Sequence, residues 1–200
     1  MSNLSTACIF LSLLSGCADS SQPPSLPDCV WCGAQDAPDV LASTMRIASQ
    51  EEPGTRLHLS GILVDKSNQP IAGALIYAYH TDATGTYRKE GNETSNGNRH
   101  GTLRGWLKTG NDGTFTIDTI QPAPYPDHTE PAHIHITVKP KGQPEIPVHP
   151  LWFKGDPRLT QEMEEAIQLP ANCTPILTLI PSEEGGLKSS FRLMARSTMP

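Results

Sequence analysis

The sequence has little positive charge: Lys and Arg number 15 against 21 Asp and Glu, for a formal net charge of −6 and a pI near 5.6. A domain without a basic excess offers no electrostatic footprint for a phosphate backbone, so nucleic acid has no support as a partner, while a small neutral or anionic ligand does not conflict with the composition. The chain also lacks a run of apolar residues of the roughly 20 needed to span a bilayer as a helix, internal repeats and low-complexity tracts. At 200 residues it is too short for two ordinary domains plus a leader, so one domain with its own core is expected.

Proline (19) and glycine (16) are plentiful, which suits many short strands joined by tight turns better than a helical fold. The expected class is all-β: an antiparallel β-sandwich with mixed loops and at most one short helix. From Arg56 onward, strand candidates cover 57–64, 74–80, 113–120, 132–138 and 176–180. Turn signals separate them, including Ser67-Asn68-Gln69-Pro70, Gly110-Asn111-Asp112-Gly113 and Lys141-Gly142-Gln143-Pro144. A helix is expected over 160–168, with Glu in its first turn facing the positive end of the helix dipole.

The N-terminal stretch has an apolar segment placed where an export signal belongs. Leu14-Ser15-Gly16-Cys17 matches the bacterial lipobox, which predicts a leader over 1–17 and acylation of Cys17. Plain secretory cleavage near Ala18 is the alternative. In either case the domain is expected outside the cytoplasm, in the bacterial cell envelope on the periplasmic side of a membrane or at the cell surface, with a lipid anchor as its sole membrane attachment. Ala18 is compatible with outer-membrane sorting. Residues 18–55 lack sustained periodicity and read as a tether and lead-in, leaving 56–200 as the domain. If Cys8 leaves with the leader and Cys17 is acylated, Cys29, Cys32 and Cys173 remain. A disulfide is expected, either within the Cys29/Cys32 pair or from one of them to Cys173.

The residues that suggest chemistry lie in the second half. His133 and His135 flank Ile134 in an alternating strand, so both imidazoles project to one face while Ile134 and Ile136 turn to the other. A histidine pair at this spacing is a metal-ligand geometry; the alternative is a His pair on a solvated face. Tyr125 stands between Pro124 and Pro126, which restrict its backbone, and Tyr87 closes a turn after the strand that ends near His80. His80, His100, His128 and His149 are expected at the surface or supporting the site from behind, and Trp106 and Trp152 as core or pocket walls.

Taken in order, Tyr79-His80-Thr81-Asp82-Ala83-Thr84-Gly85-Thr86-Tyr87, Leu103-Arg104-Gly105-Trp106, the segments 109–115 and 119–126, Pro131-Ala132-His133-Ile134-His135 and the segment 151–157 resemble the intradiol ring-cleaving dioxygenases, the protocatechuate and catechol enzymes, over about half the chain. That resemblance implies one Fe(III) held by Tyr87, Tyr125, His133 and His135, with a catechol-type aromatic and O2 as substrates and Tyr125 leaving the metal as substrate arrives. It gives Tyr87 and Tyr125 catalytic roles. Arg104, together with Arg99, is a candidate source of positive charge. The sequence departs from the family at Glu130, where the well-known enzymes carry an arginine, and at Pro150, where they carry a glutamine; the interval from Tyr125 to His133 is also short. An iron- or catechol-binding sandwich without catalysis, and a structural or carbohydrate-binding sandwich, are the other readings. Edge strands leave room for a homo-oligomer, although no residue fixes an interface.

Overall fold

A computed structural model describes residues 28–195, so the expected leader and Cys17 lie outside the described residues. Two mixed sheets face each other. The first has strand order β1-β5-β2-β11-β10, built from β1 (Thr44–Arg46), β5 (Thr114–Ile120), β2 (Arg56–Val64), β11 (Leu187–Met194) and β10 (Ile180–Pro181). The second runs β4-β3-β6-β8-β9, from β4 (Arg104–Lys108), β3 (Leu75–Tyr79), β6 (His133–Lys139), β8 (Leu151–Phe153) and β9 (Ile176–Leu177), with β7 (Ile146–Pro147) pairing beside β8 on β6.

Strand alternation divides each sheet into an apolar inner face and a second, chemically different face. Leu57, Leu59, Leu63, Phe115 and Ile117 from the first sheet meet Ile76, Ala78, Leu107, Ile134, Ile136 and Val138 from the second in one buried core. Each fully buried Leu or Ile contributes on the order of 1.5–3 kcal/mol relative to exposure, so this layer holds the sheets together.

The sandwich is not wholly antiparallel. β1 with β5, β11 with β2 and β8 with β9 are parallel pairs. Two short helices are present, α1 (Gly97–His100) and α2 (Gln161–Glu165), where at most one was expected. The second lies inside the expected 160–168 segment, with the Thr160 hydroxyl accepting the Met163 N–H as its N-cap. The expected strand over 176–180 is divided into β9 and β10, which belong to different sheets.

Part of the expected lead-in is integral to the sandwich. Residues of β1 pair with β5, and Met45, Ile47 and Ala48 enter the main core. Upstream, a Cys29–Cys32 disulfide closes a small loop, and Cys173 is free and buried elsewhere. The chain then lies flat on the outer face of the second sheet. Gly33 permits this approach, because a Cβ there would sit 2.2 Å from a ring carbon of Tyr77. Glu145 accepts the Gly33 and Ala34 N–H groups, and Trp106 Nε1 donates to the Gly33 carbonyl at 2.7 Å. That face of β3, β4 and β6, which would otherwise be solvated, is thereby partly covered, and the candidate site lies on it.

Candidate metal centre

On β6 the inward residues Ile134 and Ile136 are core, as the alternation requires, and His133 and His135 stand side by side on the opposite face. Their Nε2 atoms are 2.9 Å apart. The Nδ1 of His133 donates to the Pro131 carbonyl at 2.7 Å, and that bond leaves Nε2 as the bare acceptor nitrogen facing its neighbour.

Two loops deliver the tyrosines. Asp82 draws the first tight: its carboxylate accepts the N–H and hydroxyl groups of both Thr84 and Thr86, and its backbone N–H donates to the Thr86 carbonyl. Slight burial works the other way, but these hydrogen bonds hold the Asp82 carboxyl below its ordinary range. Gly85 sits in this turn at φ +83, and a Cβ there would lie 2.1 Å from the Pro124 carbonyl oxygen. The turn that ends at Tyr87 is therefore packed directly on the loop that carries Tyr125, and the Ala123 N–H donates to the Asp82 carbonyl across the same seam.

The two phenols meet as a result. Tyr87 Oη and Tyr125 Oη are 2.8 Å apart, and Tyr125 Oη lies 3.3 Å from His133 Nε2 and 3.2 Å from His135 Nε2. The sequence-predicted set is thus joined through Tyr125 Oη, which touches the polar atoms of the other three, while Tyr87 Oη meets only Tyr125. Burial, followed by the mutual proximity of the phenols, pushes the Tyr87 hydroxyl well above the ordinary phenol range; burial, with Glu130 and Asp127 contributing, also raises Tyr125. His135 is pushed down to about 3 by burial first and then by the neighbouring imidazoles.

This arrangement fits one small cation. Two imidazole nitrogens directed at each other and two half-buried phenols form a group of four donors. The separations of Tyr125 Oη from the other three atoms and of the two Nε2 atoms from each other, 2.8–3.3 Å, match polyhedron edges expected for bonds of about 2 Å to a transition metal. Among the described residues no group of three His, Cys, Asp or Glu side chains forms a metal site, so the centre is recognisable only once the phenols are counted as ligands.

A second row supports the first. Tyr79 stacks on His135 with ring centroids 4.6 Å apart, and His100 stacks on the far side of Tyr79 at 3.6 Å. His100 is itself held by Tyr77 Oη at 2.7 Å from its Nδ1 and by the Val30 carbonyl at 2.8 Å from its Nε2. His80 is fully buried between the Thr119 hydroxyl and the Thr81 carbonyl. Of the remaining expected histidines, His128 is exposed and bonds Arg158, while His149 is half-buried against Trp152. Tyr79 was not singled out from the sequence as a support for the site. Its place on the same strand face as Tyr77, next to His135 in register, was the available signal.

Arg104 is not brought to the four donors. It lies two strands from His135, about 10 Å in sheet spacings, with its guanidinium 3.5 Å from Asp36 and 5.1 Å from the Trp106 ring centroid. The cause is local: Asp36 and the small Gly97 leave a slot that the guanidinium fills, its nearest nitrogen 2.5 Å from where a Gly97 Cβ would stand. Arg99 is likewise engaged, with Nη1 donating to Asn96 Oδ1 at 2.5 Å.

Comparison with known proteins identifies the family. A family model described as "Dioxygenase" matches residues 34–191. A chlorocatechol 1,2-dioxygenase of Rhodococcus opacus is 29% identical over 143 residues, covering 61% of this chain and 54% of the relative. A 6-chlorohydroxyquinol 1,2-dioxygenase of Cupriavidus pinatubonensis is 31% identical over 120 residues, covering 51% and 41% respectively. The chain therefore spans about half the length of these curated relatives. Among solved structures, the dioxygenase domain of a dioxygenase and carbohydrate-binding protein fusion from Streptomyces sp. SirexAA-E is similar with a TM-score of 0.59 and 26% identity, over 76% of this chain and 87% of that one. With the family match extending through β1 to β11, the chain belongs to the intradiol dioxygenase family.

Proposed function

We propose that this protein is a non-haem Fe(III) dioxygenase that opens a catechol-type ring between its two hydroxyl-bearing carbons using O2, and that it works outside the cytoplasm, anchored through a lipid on Cys17. The convergence of Tyr87, Tyr125, His133 and His135 supports the reading most strongly. Phenolate oxygens are hard anionic donors that favour ferric over ferrous iron, and two neutral imidazoles complete the set. When bound, ferric iron would accept the two catechol oxygens and draw electron density from the ring, making a ring carbon reactive toward O2.

The chain's own residues have distinct tasks. Tyr87 is fixed by the Asp82 turn, and His133 by its bond to Pro131, so these donors keep their positions. Tyr125 Oη is the hub of the set, and its loop runs directly into the exposed residues 126–130. It is the group suited to swing aside when substrate enters and to take up one of the two catechol protons at Oη, the other passing to water. The stacked ring of Tyr79 keeps the His135 side of the site apolar. A muconate-type diacid, carrying both atoms of O2, is the product.

The optical spectrum of the purified, iron-loaded protein, recorded before and after addition of catechol in air, tests this reading. A burgundy charge-transfer band, replaced on catechol addition by a new band that decays as the diacid forms, is the expected result. A catecholate band that persists in air would identify an iron and catechol binder instead, and a protein that stays colourless after ferric loading would sink the metal centre. The anchor is tested separately, by mass spectrometry of the mature protein from wild type and Cys17→Ala cells.

A further inference from the structure

Next to the four donors the structure places an acid. Glu130 Oε2 lies 3.9 Å from His133 Nε2, with the rest of its side chain 57% exposed at the edge of the site. Asp127 lies on the same exposed loop, two residues after Tyr125. The arginines adjoining the site are each already paired. Arg88, next to Tyr87 in sequence, pairs with Glu52 at 2.6 Å; Arg104 faces Asp36; and Arg158 is shared between His128 at 2.8 Å and Asp156 at 3.7 Å. Arg158 thus sits on the far side of the loop at His128, and Glu130 is the charged group beside His133 that an entering ring must bring its substituents past.

Resting on the catechol reading above, we propose that Glu130, backed by Asp127, is a specificity-determining residue that selects catechols by substituent charge, favouring rings with an ammonium-bearing arm over neutral rings and rejecting rings with a carboxylate arm. The physical basis is direct. A single charge at several ångströms across a partly wet rim changes affinity roughly tenfold for each sign of the substituent, more in the drier part of the site and less in open solvent. Because Glu130 is exposed, the effect must also weaken with salt as the Debye length shortens. Neither Glu130 nor Asp127 is part of the core, so their charge can be changed with little risk to the fold.

The test uses three rings on the iron-loaded protein: 4-(2-aminoethyl)catechol, catechol and 3,4-dihydroxyphenylacetate, the first and last having arms of similar length and opposite charge. Affinities measured by calorimetry under nitrogen keep binding apart from turnover. The cationic ring is expected to bind on the order of tenfold or more tightly than the anionic ring, with catechol between them. The ratio should fall toward one in Glu130→Gln, reverse in Glu130→Arg, and shrink in 0.5 M salt. A wild-type ratio near one, or a ratio that Glu130→Gln leaves unchanged, overturns the proposal. O2 uptake with neutral catechol reads the reaction separately. Charge-selective binding without O2 uptake defeats the dioxygenase reading and leaves the rim selection standing; O2 uptake with charge-blind binding does the opposite. Failure of all three rings to bind overturns both.

Discussion

The imidazole of His100 lies on the ring of Tyr79 with centroids 3.6 Å apart and planes only 6° from parallel, and the other face of Tyr79 covers His135. The orientation of one metal-facing histidine thus depends on a column of rings that reaches back to the disulfide-closed loop. Replacing His100 by Ala removes the outer ring and both of its hydrogen bonds. Supporting groups of this kind typically govern metal affinity by 10–100-fold. Ferric affinity, measured by competition with a chelator, is expected to fall by about tenfold, and the charge-transfer band to shift, while the protein remains folded by circular dichroism.

Gly85→Ala should be among the more damaging single changes outside the core. The position requires a left-handed φ of +83, and the added methyl would press on the Pro124 carbonyl. A loss of about 2–4 kcal/mol is expected in urea unfolding, with loss of ferric colour at temperatures where the protein is still folded, because Tyr87 and Tyr125 are positioned by the two loops that meet there. Asp82→Ala should act in the same direction but more weakly, by about 1–2 kcal/mol.

Acid should destabilise the fold before most carboxylates titrate. Burial depresses His80 and His100 to about 4 in each case. A histidine whose folded-state value lies below its unfolded value of about 6.5 binds its proton preferentially in the unfolded chain, so its stabilising share is complete above pH 6.5 and is lost as pH falls toward 4. For the fully buried His80 this amounts to about 2 kcal/mol between pH 7 and pH 5. The urea midpoint is expected to drop across that interval, and His80→Asn should flatten the slope. An unchanged slope in the variant would place the acid sensitivity in other groups.

The disulfide is expected to steady α1 more than the whole fold. The carbonyls of Cys29 and Cys32 both accept from Asn96 Nδ2, and Val30 accepts from His100. Closing so short a loop contributes no more than about 2 kcal/mol. Hydrogen exchange on Cys29→Ser/Cys32→Ser should show faster exchange across 96–101, with little change in β2, β5 and β6.

The sequence made the middle of this structure legible and its borders less so. Strands β2, β5 and β6 alternate over seven to nine residues, β3 is a continuous apolar and aromatic run, and the same alternation that buries Ile134 and Ile136 places His133 and His135 together. Strands of two or three residues, such as β1, β7, β8 and β10, carry too few alternations to register. β11 is longer but reads as Lys, Ser and Arg between apolar residues because one of its faces is solvated. β1 was absorbed into an expected tether, since its pairing with β5 and the burial of Met45 are contacts distant in sequence. The placement of Arg104 failed for a similar reason. Nothing in its own neighbourhood signals Asp36, 68 residues earlier, as its partner.

The parallel pairing of β11 with β2 also bears on how the chain is made. Every residue of β11 is registered against β2, and β11 stands between β2 and β10 in the first sheet. During vectorial synthesis β2 waits with one edge open through more than a hundred residues, and the sheet gains that neighbour only when β11 has emerged. The sheet therefore closes late, and the part of the fold around β2 depends on a strand from the far end of the domain.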